Sequence, residues 1–338
     1  MAMRFSLRLN NDLTVPQYVE LAQRAESLGF DQFWVSSDLF LRSAGVILTA
    51  VALNTNRIQL GSCVLNPYTM NPAEVAMLAG TLDEVSDGRF LLGIASGAAE
   101  FLGWVGIRHG KPLIAMRESV AAIRRLMRNE SAECDGEFLP WGSGAYMRFH
   151  VEREIPIYIG AMGPRMLHLA GEIGDGALPL LFPPERYYFA RQQVDCGQAI
   201  SVSNTADFDF ATCIWVSAAQ DRAAARRVLA QKVAYYGSAM NETLLADLGL
   251  STVDFEPINK ALVGDRDEAR AIDLITDDML RIGVVGDAAD IIERLEPLVS
   301  DGATHLSFGP PLGPDFGEAL QILGQVVQHF KLSDTQEQ

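Results

Sequence analysis

The stretch IPIYIGAMGPRMLHLAGEIGDG, from Ile155 to Gly176, sets a glycine-rich turn between a short apolar run and a helical pattern that opens with proline. Ile157 to Ile159 is rich in β-formers, and Pro156 stands at its entrance, where a strand tolerates a missing N–H. Gly160 and Gly163 read as positions where the backbone turns sharply, and Pro164 suits a first helical position, which has no hydrogen bond to lose. Met166, Leu169, Ala170 and Ile173 then repeat at helical spacing. The free N–H groups of residues around Gly163 to Met166 therefore point out of the strand's carboxyl end with Arg165 beside them, where a phosphate fits, which makes Gly160, Ala161, Met162, Gly163, Pro164 and Arg165 the candidate binding segment. An ordinary β-to-α turn with a solvated arginine is the other reading of the same residues.

The same strand-then-helix unit recurs in both directions from this stretch. Upstream, strands are expected at Phe5–Leu9, Gln32–Ser36, Ile58–Leu65 and Phe90–Ala95. The helices between them run at about Val15–Leu28, capped by Thr14 and Gln17, near Gly45–Leu53, and from Asn71-Pro72 onward. A helix at about Leu113–Met127 precedes an irregular segment, residues 132 to 153, expected to form a hairpin or loop. Downstream, strands are expected at Gly176–Leu181, Asp207–Val216 and Thr304–Phe308. Helices start at Pro184-Glu185 and cover Asp221–Tyr235, Asp287–Val299 and Gly317–Phe330. Residues 237 to 281 read as a helical insertion and 331 to 338 as a flexible polar tail. Eight strands with intervening helices predict a (β/α)8 barrel, that is, a TIM barrel with insertions, as one α/β domain over residues 1 to 330. Chemistry in such a barrel collects at the carboxyl ends of the strands.

Composition narrows the function. The chain has 338 residues, 49% of them hydrophobic and 21% charged, with a formal net charge of −16. That charge argues against nucleic acid or an anionic membrane as the main partner. No run approaches a membrane span and the N-terminus lacks a secretory pattern, so a cytoplasmic protein acting on a small molecule is expected. Cys63, Cys134, Cys196 and Cys213 are far apart and have no histidine at ligand spacing, so they read as reduced thiols and no metal is expected.

Six segments in order carry a family likeness: WVSSDLFLR (Trp34 to Arg42), TAVALNT ending at Thr55, GSCVLNPYTMNP (Gly61 to Pro72), GRFLLGIASG (Gly88 to Gly97), IGAMGPR, and SFGPPLGPD ending at Asp315. The chain resembles the luciferase-like flavin and deazaflavin superfamily and, within it, the methylenetetrahydromethanopterin reductase branch, which uses coenzyme F420. The resemblance implies a homodimeric barrel with a tricyclic cofactor across the strand ends and its phosphate tail at Gly160–Arg165. It also implies a cis peptide between Cys63 and Val64, with Val64 behind the ring and Ser37, Asp38 and Asn66 near its polar parts. Cys63 reads equally as a buried strand residue.

Three positions depart from that branch. Arg8 stands where the first strand usually ends in glutamate, Ser37-Asp38 stands for Asp-His, and Ala98 replaces an acidic residue, with Glu100 two places on. The departures point to a substrate other than the methanogenic pterin. Asp38 and then Glu100 are the candidate proton-handling carboxylates, although an aspartate there also serves as a cap or turn former. Arg8 suits an anionic group or a salt bridge to Asp38. Tyr68 and Trp104 are candidates to line a substrate pocket or, equally, to pack. The expected function is F420-dependent hydride transfer to or from a small organic substrate. The alternatives are an FMN-dependent monooxygenase of the same superfamily and a non-catalytic flavin-binding or deazaflavin-binding barrel.

Overall fold

The apolar runs are long enough to be covered on both faces, and they pair in parallel as such runs do. In the computed structural model, which describes residues 3–180, 183–201 and 207–337, the strands follow one another around a ring. Their order is Arg4–Leu9, Gln32–Val35, Gln59–Ser62, Phe90–Ile94, Ile157–Gly160, Gly176–Leu178 and Asp209–Phe210. Thr212–Ala218 and His305–Leu312 complete it, the latter pairing with Arg4–Leu9. Asp209–Phe210 and Thr212–Ala218 are one strand interrupted at Ala211, so the ring closes through continuous chain. This is the eight-stranded barrel that the alternating pattern predicts.

Several boundaries move. The third strand, expected to continue to Leu65, stops at Ser62, and pairing with the fourth strand resumes only as an isolated bridge between Leu65 and Ile94. There the Ser62 hydroxyl donates to the Gly93 carbonyl (2.9 Å) and accepts from its N–H (3.0 Å), bridging the gap in the ladder. Val284–Gly286, to which the sequence pattern assigns no element, is an additional strand beside Thr212–Ala218. Ala99–Trp104 is a short helix that periodicity missed, being under two turns long. The closing helix, expected to stop at Phe330, continues as Phe316–Glu337, so the segment read as a flexible tail is helical as far as it is described; Gln338 lies outside the described residues. Leu181, the expected end of the sixth strand, also lies outside them.

Residues 132 to 153 contain the hairpin Cys134–Asp135 with Pro140–Trp141. Residues 237 to 281 are short helices packed around their own cluster, with Leu245, Phe255, Ile258 and Met279 at its centre. The main core lies between barrel and helices, from Phe5, Leu7, Phe33 and Phe308 outward to Ile47, Val75 and Leu323. Inside the ring, Trp34, Leu91, Tyr158, Leu178 and Cys213 form a second, smaller cluster.

Candidate active site

Along a strand, alternate residues face the ring's interior. That parity puts Ser6 and Arg8 of the first strand inside while Phe5, Leu7 and Leu9 face the helices. Arg8 is 6% exposed. Its Nε donates to the Ser307 hydroxyl (3.1 Å) and one terminal nitrogen to the Ile214 carbonyl (3.3 Å). A Cβ on Gly309 would lie 2.2 Å from that guanidinium, so glycine there makes room for it. Among the described residues Arg8 has no ion pair, and the alternative of a salt bridge to Asp38 is not what forms. A buried guanidinium without a carboxylate is costly unless something else meets its charge.

Asp38 follows the second strand, and a residue that sequence reading passed over holds it. Asn11, 1% exposed, donates from Nδ2 to the carbonyls of Asp38 (3.1 Å) and Arg42 (2.7 Å) and accepts from the Asp38 N–H (3.2 Å). These bonds consume backbone groups, and the Asp38 carboxylate has no hydrogen-bond or ion-pair partner among the described residues. Asp38 keeps surface open to solvent, yet desolvation by the surrounding protein pushes its pKa up; Asp12 adds to the rise and Lys232 opposes it.

Lys232 comes from helix Arg222–Tyr236. Its ammonium lies 4.7 Å from the ring centroid of Trp215 and 5.2 Å from that of Tyr236. Desolvation and the neighbouring Arg8 lower its pKa to about 8, while Asp12 and Asp38 pull it back up. Arg8, Asp12, Asp38, Lys232 and Tyr236 thus form one electrostatically linked group at the carboxyl ends of the strands. The hint in the sequence was small: in VLAQKVAYY the lysine borders the buried positions Leu229, Ala230, Val233 and Ala234. Cys63 faces the same group, and burial pushes its thiol up to about 12, so it is an inert thiol here. Cys213 is likewise raised by burial.

The peptide joining Cys63 to Val64 is cis. Gly160 packs against Val64: a Cβ on it would stand 2.8 Å from the Ala95 Cβ and 3.2 Å from Val64 Cγ1. The sharp turn expected of Gly160 and Gly163 is not the reason for these glycines, because neither has positive φ. Gly163 caps helix Pro164–Ile173 in an extended conformation, and a Cβ there would meet nothing within 4 Å. The N–H groups of Met162, Gly163 and Arg165 bond to no described residue, and the exposed Arg165 has no ion pair among them. Ala161 is committed instead, donating to the Leu178 carbonyl (3.1 Å).

The remaining candidates divide. Asn66, beside Gly97, accepts from the N–H groups of Tyr68 (3.1 Å) and Thr69 (3.0 Å), and its Nδ2 has no partner among the described residues. Tyr68 is engaged in packing, its hydroxyl on the Gly110 carbonyl (2.5 Å) and its ring edge-on to His109 and Phe138. Trp104, 60% exposed, stacks loosely with Phe101 and with Phe40, which is 73% exposed. Glu100 is exposed in the first turn of Ala99–Trp104, and no interaction ties it to the Asp38 group. Ser37 is half-buried beside Asp38. An apolar groove of about 630 Å³, lined by Met77, Leu126, Trp141, Tyr146 and Phe149, lies under the hairpin on the barrel flank, away from these residues.

Residues 3–305 match the luciferase-like monooxygenase family model. The chain belongs to that family. It is 34% identical over 329 residues to 5,10-methylenetetrahydromethanopterin reductase of Archaeoglobus fulgidus, covering 96% of this chain and 98% of the relative. It is 27% identical to F420-dependent glucose-6-phosphate dehydrogenase of Amycolatopsis mediterranei, over 87% of this chain and 88% of that one. The solved coenzyme F420-dependent tetrahydromethanopterin reductase of Methanopyrus kandleri superposes with a TM-score of 0.91 at 27% identity, covering 98% of this chain and all of that chain. The chain is therefore an oxidoreductase of the luciferase-like family, and no helix among the described residues is long and apolar enough to cross a membrane.

Proposed function

We propose that the protein is a coenzyme F420-dependent oxidoreductase that moves a hydride to or from a small organic substrate at the barrel mouth. The observation that carries this reading is the cradle at Met162–Arg165, where the N–H groups of Met162, Gly163 and Arg165 and the Arg165 guanidinium have no partner among the described residues and Gly163 leaves open space. Its chemistry suits a phosphodiester, and the helix N-terminus adds favourable charge. Val64, packed beside Gly160, would support a flat ring in this reading, and the Asn66 side-chain amide would meet its polar edge. The deazaflavin supplies a hydride donor or acceptor that does not activate oxygen. This chain's residues hold it, exclude water and manage the proton.

Arg8 supports a substrate different from the pterin of the archaeal relatives. A buried cation replaces the acidic group usual at that position, so a substrate bearing negative charge or a strong acceptor fits best. Absorbance and fluorescence titrations with F420 and with FMN test the cofactor; tight FMN binding without F420 binding would favour the monooxygenase reading. Turnover of methylenetetrahydromethanopterin at the rate of the best substrate in a panel of imines, ketones and enones would end the argument for a different substrate. A homodimer belongs to the same proposal, and sedimentation of the purified protein tests it.

A further inference from the structure

Of the two carboxylates anticipated for the mouth, only Asp38 belongs to its charged group. Among the described residues no interaction ties Glu100 to that group, and the acidic positions usual in the branch are Arg8 and Ala98. Lys232 occupies the space between the mouth and helix Arg222–Tyr236 with no hydrogen bond and no ion pair among the described residues, walled by two rings that stand 5.7 Å apart. The ammonium is partly buried against these rings and within the field of Asp12 and Asp38, yet pairs with neither carboxylate.

We propose that Lys232 exchanges the proton of the redox reaction, its ammonium donating to the substrate's nitrogen or oxygen as a hydride reaches the adjacent carbon. This inference rests on the F420-dependent reading above. In the reducing direction the new C–H bond takes its electron pair from the reduced deazaflavin. The π pair of the C=N or C=O bond moves to the heteroatom, and that atom takes the proton as one N–H bond of Lys232 breaks. Two electrons pass from cofactor to substrate, and the resulting amine regains a proton from water through the open mouth. Oxidation reverses each step.

The groups facing Lys232 suit this role. From the first strand and its loop come Arg8, which favours the neutral amine, and Asp12, which favours the ammonium. From the second strand's loop comes Asp38, which also favours the ammonium, and Tyr236 on the lysine's own helix is itself raised by burial and by Asp38. Charges on the helices packed against the outer side are engaged elsewhere: Glu268 with Gln231, and Asp277 with Arg226. The balance leaves a proton donor whose pKa of about 8 lies close to neutral pH, where general acids work best.

The test uses the whole protein and its four lysines, 111, 232, 260 and 331. Competitive acetylation from pH 6 to 11, read by peptide mass spectrometry with and without F420, should show Lys232 titrating near 8 and losing reactivity when F420 binds. Titration near the ordinary lysine value of roughly 10.4, or unchanged labelling with F420 bound, would overturn the inference while leaving the cofactor reading intact. Failure of F420 to bind removes both. With a substrate from the panel, K232M should lose on the order of a hundred-fold or more in kcat at an unchanged F420 Kd. In the reducing direction, wild-type kcat should fall as pH rises through about 8. Restoration of turnover by K232R, which keeps charge but holds its proton, would show that charge alone matters and would sink the proposal.

Discussion

The two ends of the barrel interior treat charge in opposite ways. At the amino ends of the strands, Asp209 is surrounded by donors: His305 Nδ1 at 2.9 Å, the Tyr158 hydroxyl at 2.8 Å, Gln32 Nε2 at 3.3 Å and an Arg4 terminal nitrogen at 3.2 Å. His305 Nε2 in turn meets the Ser6 hydroxyl at 2.8 Å. Burial alone would raise the Asp209 carboxyl, but His305, Arg4 and Tyr158 hold it well below the usual carboxylate range. The Ser6–His305–Asp209 chain has the contacts of a nucleophile, base and orienter, yet Ser6 and His305 have no exposed surface, so no substrate reaches them. At the carboxyl ends, Arg8, Asp38 and Lys232 form no ion pair with any described residue. The same ring thus carries a closed, satisfied floor and an open, unsatisfied mouth, and the cost at the mouth is the usual mark of a site that awaits a ligand.

Removing the centre of the floor should have the largest effect. Asp209→Ala strands Arg4, His305 and Tyr158 together and should cost about 3–5 kcal/mol in urea unfolding; a loss under ~1 kcal/mol would mean the floor is no more than a surface cluster. The sign of its pH dependence follows from the lowered native pKa. Its contribution is complete above the unfolded value of roughly 3.9 and is lost as pH falls from there toward the native pKa, so Asp209→Asn should flatten the acid limb of stability against pH.

At the mouth the effects should fall on ligands rather than on folding. Arg165→Ala is expected to weaken F420 roughly ten- to a hundred-fold and to reduce the salt dependence of binding, with little change in melting temperature. An unchanged Kd would take Arg165 out of the cradle. The smallest shift is expected from Asp38→Asn. Asp38 favours the charged lysine, so its neutralisation should move the Lys232 titration downward from about 8 by a fraction of a pH unit, as acetylation would read. An upward shift would mean that Asp38 and Lys232 do not share the mouth.

How much of this was legible differs by element. The cap at Thr14 and Gln17 forms as its spacing suggests, with Gln17 Oε1 accepting from the Thr14 N–H at 3.0 Å and from its hydroxyl at 2.7 Å. The junction at Gly160–Arg165 was equally plain, since strand, turn, proline and apolar period are adjacent in the chain. The glycines were visible but their reason was not: Gly160 is demanded by Ala95 and Val64, and no local rule names those neighbours. Val284–Gly286 escaped because a three-residue strand carries no period, and only its partner Thr212–Ala218 makes it one.

The alternation of β and α units, and with it the barrel, is written in the chain itself, because hydrophobic period, caps and turns act over a few residues and need no distant partner. Which charges meet was decided by the closed ring. Arg8 is bonded to Ser307 across 299 positions and to Ile214 across 206, and Lys232, on a helix far along the chain, comes within electrostatic range of Asp38. Burial, and therefore the state of each ionisable group, depends on what the fold brings around it, and only the assembled barrel separates a sealed floor from an open mouth.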